Sequence, residues 1–142
     1  MKTKSKKVAF KNIRIGAKVS FGRVISKKDV EDFARLSGDF NPLHLDENYS
    51  KSTQFKRPIV HGMLAASLFS ALIGMHLPGR YSVILSQEIR YMKPIYPGTV
   101  VRVVGEVTGK VDAIKVVIIK TTISDKKGSV LVEGISKIKV MR

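Results

Sequence analysis

The chain has 142 residues, the length of one domain. With 44% hydrophobic and 26% charged residues it is neither disordered nor fibrous, and the absence of cysteine excludes a disulfide framework, cysteine-ligated zinc, iron–sulfur ligation and thiol nucleophiles. Its 26 Lys and Arg stand against 11 Asp and Glu, a net charge of +15 that invites a polyanionic partner, nucleic acid first among them.

Residues 1–12 are expected to form a basic, solvated and partly ordered arm, followed by a single domain over 13–142. The first eleven residues carry five lysines and no acid. They lack the apolar core of a secretory signal and the arginines of a mitochondrial presequence. Without them the chain still has 21 basic against 11 acidic residues, so the basic excess is distributed. Residues 13–25 alternate loosely and predict a strand. Ser26 offers an N-cap with Asp29 three positions on, an imperfect capping box. Val30, Phe33, Ala34 and Leu36 then give a short amphipathic helix that Gly38 stops. Residues 39–58 are mostly polar and predict a structured loop with one helical turn after Asp46.

Residues 60–77, between Pro58 and Pro78, are strongly apolar. Eighteen helical residues span roughly 27 Å, the lower edge for a bilayer. The stretch also holds His61, Ser67, Ser70, His76 and two glycines. A helix apolar all round in an otherwise polar chain predicts a buried core helix rather than a membrane span. Period-two patterns follow at 81–91, 99–108, 114–124 and 130–140, rich in Val, Ile, Thr and Tyr. Gly79, Gly109 and residues 125–128 punctuate them, and Tyr96-Pro97-Gly98 predicts a type II turn. Four strands in sequence predict an antiparallel meander. A lone apolar helix needs burial on most sides, which a curled sheet supplies, so the class is α+β.

Chemistry concentrates in two stretches. Leu36-Ser-Gly-Asp-Phe-Asn-Pro-Leu-His-Leu-Asp46 places a carboxyl, Asp39, and an imidazole, His44, five residues apart. Asn41-Pro42 between them favours a fixed, non-helical path. A rigid loop holding these two groups together suits general acid–base catalysis. Arg57-Pro-Ile-Val-His-Gly-Met63 opens the apolar helix, where free backbone N–H groups beside a glycine can bind a developing oxyanion. Each residue also has a bland role: Asp39 as a turn former, His44 as a surface group, His61 as a helix starter. Ser67, Ser70, Ala65 and Ala66 serve as small packing residues, and His76 as a partner of helix-end carbonyls.

Taken together, Ser37-Gly-Asp-Phe-Asn-Pro-Leu-His44 and Arg57-Pro-Ile-Val-His-Gly-Met63 resemble the hydratase motif of the MaoC-like family. The resemblance runs from about Ile13 to Val140 and includes Lys93-Pro-Ile-Tyr-Pro-Gly98. It implies a hot dog fold, a long central helix wrapped by a curved antiparallel β-sheet. The implied activity is reversible hydration of a trans-2-enoyl-CoA, or an acyl carrier protein thioester, to the (R)-3-hydroxyacyl product. Asp39 and His44 match the catalytic pair that holds one water. The Gly62 N–H matches the donor to the thioester carbonyl, where hydration builds enolate charge. Asn41 matches a supporting loop residue, and Ser70 and Ile73 match acyl-pocket positions. The resemblance implies no metal and no cofactor, a cytoplasmic homodimer joined edge to edge, no specific nucleic acid and no membrane span. The basic surface then suits a phosphate-bearing or acidic acyl carrier.

Alternatives stand beside this. The same site run in reverse would make a 3-hydroxyacyl-thioester dehydratase of fatty-acid synthesis. A hot dog thioesterase would need a carboxylate on the long helix, and 60–77 has none. A nucleic-acid-binding protein is favoured by charge, yet no RNP-like aromatic motif or recognition helix accompanies it. A catalytically silent thioester-binding protein would have no use for Asp39 and His44.

Overall fold

The computed structural model describes residues 4–142. Five strands form one antiparallel sheet in the order β1-β3-β4-β5-β2: β1 (Lys18–Val24), β2 (Ser82–Tyr91), β3 (Val100–Val111), β4 (Val116–Ser124) and β5 (Val130–Val140). Strands β3, β4 and β5 make the expected meander. Strand β2 departs from it, lying beside β5 at one edge rather than beside β3. Pattern shows which residues extend, whereas neighbour choice is made by long-range pairing. Strand β3 runs on through Gly109, expected as a break, and a register shift between Val107 and Gly109 absorbs the irregularity.

The sheet faces the core with alternate residues. Val101, Val103 and Val107 of β3, Val117, Ile119 and Ile123 of β4, and Ile138 of β5 are buried against Phe69, Leu72 and Ile73. The last three lie on the apolar helix, which divides in two: α4 (Gly62–Ala71) and a π turn (Leu72–His76). Contact between helix and sheet is close. A Cβ on Gly105 of β3 would meet the Leu72 Cδ2 at 2.4 Å, so a side chain there would push the layers apart. His76 stacks on Phe21 of β1 at 5.3 Å between ring centroids, instead of serving helix-end carbonyls as expected. Among the described residues no helix is long and apolar enough to cross a membrane.

Local signals shape the rest. Helix α1 (Lys27–Ser37) starts on a complete Ser26–Asp29 capping box and ends at Gly38, whose φ of 79° is left-handed. Gly98 takes φ 89° while the Thr99 N–H bonds the Tyr96 carbonyl, the expected turn. Lys2 of the basic arm lies outside the described residues. From Ser5 onward the segment is docked: the Ser5 hydroxyl donates to the Gly74 carbonyl at 2.6 Å, and the Lys6 N–H to Met75 at 3.0 Å. The Phe10 N–H donates to the Arg142 carbonyl at 2.7 Å, and Phe10 and Ile13 enter the core. The expected boundary at residue 12 therefore falls inside the packed unit, because Phe10 is buried surface rather than tail.

Candidate active site

The loop after α1 carries the first group. Asp39 follows Gly38, and each part of it is tied. Its N–H donates to the Ser37 hydroxyl oxygen at 3.1 Å, and its carboxylate accepts the Asn41 N–H at 3.1 Å. The Asn41 side chain in turn caps the Leu43 N–H at 3.0 Å. With Pro42 at the first position this starts a short helical turn, α2 (Pro42–Leu45). The path expected to be non-helical thus becomes helical one residue later, and it raises His44 on that turn. A second turn, α3 (Glu47–Lys51), follows on the Asp46 cap as expected.

His44 Nδ1 lies 2.8 Å from the Ile59 carbonyl oxygen. A carbonyl only accepts, so Nδ1 carries the proton and Nε2 of the neutral ring keeps its lone pair. The Ile59 N–H donates back to the Leu43 carbonyl at 3.3 Å, which ties the two motif stretches together. His61, two residues further on, is 2% exposed. Its Nε2–H donates to the Asp39 carbonyl at 3.1 Å, and its ring lies 3.9 Å from that of His44, tilted 30°, and 4.8 Å from that of Phe33, inclined 58°. Its Nδ1 is buried with no partner among the described residues. Burial, the largest influence, holds the His61 pKa below the usual 6.5; the hydrogen bond to Asp39 opposes this.

One carboxylate oxygen of Asp39 and one nitrogen each of His44 and His61 lie within 4.8 Å of one another. The set has the donor types of a metal site. The two rings, however, are tilted only 30° from parallel and stacked, so their in-plane lone pairs run side by side rather than converging on one ion. A held water and a moving proton suit this arrangement better.

Gly62 opens α4. No side chain caps the helix, so the N–H groups of its first turn remain available. A Cβ on Gly62 would meet the Tyr91 ring at 2.9 Å, so glycine lets this β2 side chain pack directly against the helix start. Partial burial pushes the Tyr91 hydroxyl above its ordinary 10, keeping it neutral beside this helix end. A cleft of about 340 Å³ reaches His44, with Val30, Leu45 and Pro58 for walls and Lys27, Lys51, Lys56 and Arg57 among its polar groups. Arg57 is braced on the Tyr96 ring at 4.0 Å.

The structure thus brings Asp39, Asn41 and His44 into one loop. Ser70 lies exposed on the open face of α4, and Ile73 is fully buried in the core; neither lines the cleft beside His44. Ser67 shares the open face, so only Ala65 and Ala66 of the four small residues are buried. His61 went unrecognised as a member of the site. Its signal was a histidine at the N-cap position, where Ser, Thr, Asp or Asn would cap better.

A five-stranded antiparallel sheet over a central helix, with an Asp–His loop at the helix start, defines a hot dog protein of hydratase type. Residues 9–127 match the MaoC like domain, and the chain belongs to that family. It is 39% identical over 129 residues to the (R)-specific enoyl-CoA hydratase of Aeromonas caviae, covering 91% of this chain and 96% of that one. The solved (R)-hydratase from A. caviae, involved in PHA biosynthesis, superposes with a TM-score of 0.87 over 90% of this chain and 97% of that one. The unliganded R-hydratase from Pseudomonas aeruginosa gives 0.89 at 34% identity, over 96% and 87% of the two chains.

Proposed function

We propose that this chain is a hydro-lyase that adds water reversibly to a trans-2-enoyl thioester, giving the (R)-3-hydroxyacyl thioester. The observation that carries the reading is the Asp39–His44 pair, its tautomer set by the Ile59 carbonyl, standing beside the uncapped start of α4. In this mechanism His44 Nε2 takes a proton from a water held between the ring and the Asp39 carboxylate. The water oxygen bonds to C3, and the C2–C3 double-bond electrons move toward the thioester carbonyl. The Gly62 N–H stabilises the enolate oxygen. Asp39 offsets the imidazolium charge, and His44 returns the proton to C2. Atoms balance with no further reactant, and the same groups serve dehydration.

The cationic groups at the cleft fit a carrier that bears phosphate, coenzyme A or a phosphopantetheinyl protein. Ser70 serves as an acyl-pocket position that a second copy of the chain completes over the open helix face, and Ile73, fully buried, backs that wall from the core. The homodimer forms along β2, and a cytoplasmic setting fits a cysteine-free enzyme of CoA thioesters.

The test is loss of the enoyl-thioester absorbance on adding crotonyl-CoA. Asp39→Asn and His44→Ala should each lower kcat on the order of hundred-fold or more while the fold survives. Turnover unchanged in either variant removes that residue from the mechanism. Salt-sensitive nucleic-acid binding without hydration would replace the reading altogether.

A further inference from the structure

We propose that His61 is a positioning residue that locks both members of the acid–base pair, acting through the Asp39 carbonyl and the His44 ring. The inference rests on the hydratase reading above.

Three observations support it. His61 donates Nε2–H to the Asp39 carbonyl at 3.1 Å, which completes the restraint of a residue already tied at its N–H and carboxylate. The same ring packs against His44 at 3.9 Å between centroids with a 30° tilt, and its own Nδ1 has no hydrogen-bond partner among the described residues. Phe33 of α1 closes the other contact of the ring at 4.8 Å, so the imidazole is clamped and transmits its position to both neighbours. One side chain thus touches Asp39 and His44, which themselves sit on separate turns. A hydrophobic residue would fill the same space more cheaply, because a buried imidazole with an unpartnered nitrogen is destabilising. Its retention is explained by the bond to Asp39. An error of about 1 Å in a catalytic group lowers rates by roughly hundred-fold, which sets the scale of what the clamp protects.

Two substitutions separate the two contacts. His61→Phe keeps ring and volume but has no donor for Asp39. His61→Gln keeps an N–H at the reach of Nε2 but has no ring. With crotonyl-CoA, His61→Phe should lower kcat on the order of ten- to hundred-fold with KM changed less than about three-fold. His61→Gln should recover a substantial part of that loss. A role in packing alone predicts the reverse order, with Phe near wild type and Gln impaired, and that order overturns the proposal; so does near-wild-type kcat in both variants. Amide exchange at Asn41, whose N–H bonds the Asp39 carboxylate, reads the loop without any turnover. It should quicken several-fold in His61→Phe and stay near wild type in His61→Gln; equal protection in all three proteins overturns the proposal. If wild type shows protection at Asn41 but no hydration, the hydratase reading fails while the clamp stands.

Discussion

Two imidazoles stacked at 3.9 Å cannot both hold a proton comfortably, and burial decides which stays neutral. His61 is the buried one, and its pKa is depressed below 6.5, first by desolvation and in part by the charge of His44. The depressed value makes stability depend on pH in a definite direction. Below 6.5 the unfolded chain binds a proton at this residue before the folded one does, so stability falls as pH falls from about 6.5 toward the lowered folded value. Above that window the residue has no such effect. Thermal midpoints between pH 7.5 and 5 should therefore drop more in wild type than in His61→Phe. Parallel curves for the two proteins would show that His61 titrates freely. In the proposed mechanism the neutral His61 ring also spares a charged His44 a second positive charge at close range.

At the scale of elements, the layers meet where Gly105 of β3 faces Leu72. Leu72 is fully buried, so a methyl group at Gly105 cannot be accommodated by a side chain swinging into solvent. Gly105→Ala should destabilise the fold by about 1–3 kcal/mol in urea titrations, with the Asp39 loop unaltered. A neutral effect would mean the helix floats more freely on the sheet than the packing indicates. What the sequence made legible follows from how local each signal is. The Ser26 capping box, the Gly38 stop, the Gly98 turn and the period of β3 to β5 are written within a few residues. The closeness of Asp39 and His44 was legible because one loop carries both. The place of β2 beside β5 is set by pairs such as Ile89 with Gly134, which no local pattern encodes. His61 was missed for the same reason, since its partners Asp39 and His44 lie 22 and 17 residues earlier.

For the whole molecule, the open edge is the main unfinished feature. Strand β2 is ten residues long with one side unpaired, and Val83, Ile84 and Leu85 are exposed on it. A long apolar edge is a template for another strand, and pairing with a second copy removes it. Light scattering should give the mass of two chains, and Leu85→Lys should shift the population toward one chain and lower thermal stability. A monomer in wild type would refute the edge pairing. The order of elements along the chain has a last consequence, for synthesis. The apolar helix ends by residue 76, but its cover comes from β3, β4 and β5, which finish at residue 140. At 5–20 residues per second a ribosome needs roughly 3–13 s to make that cover. For those seconds the most apolar stretch of the chain has no sheet to lie on, and its safety depends on what the cell holds near the exit tunnel.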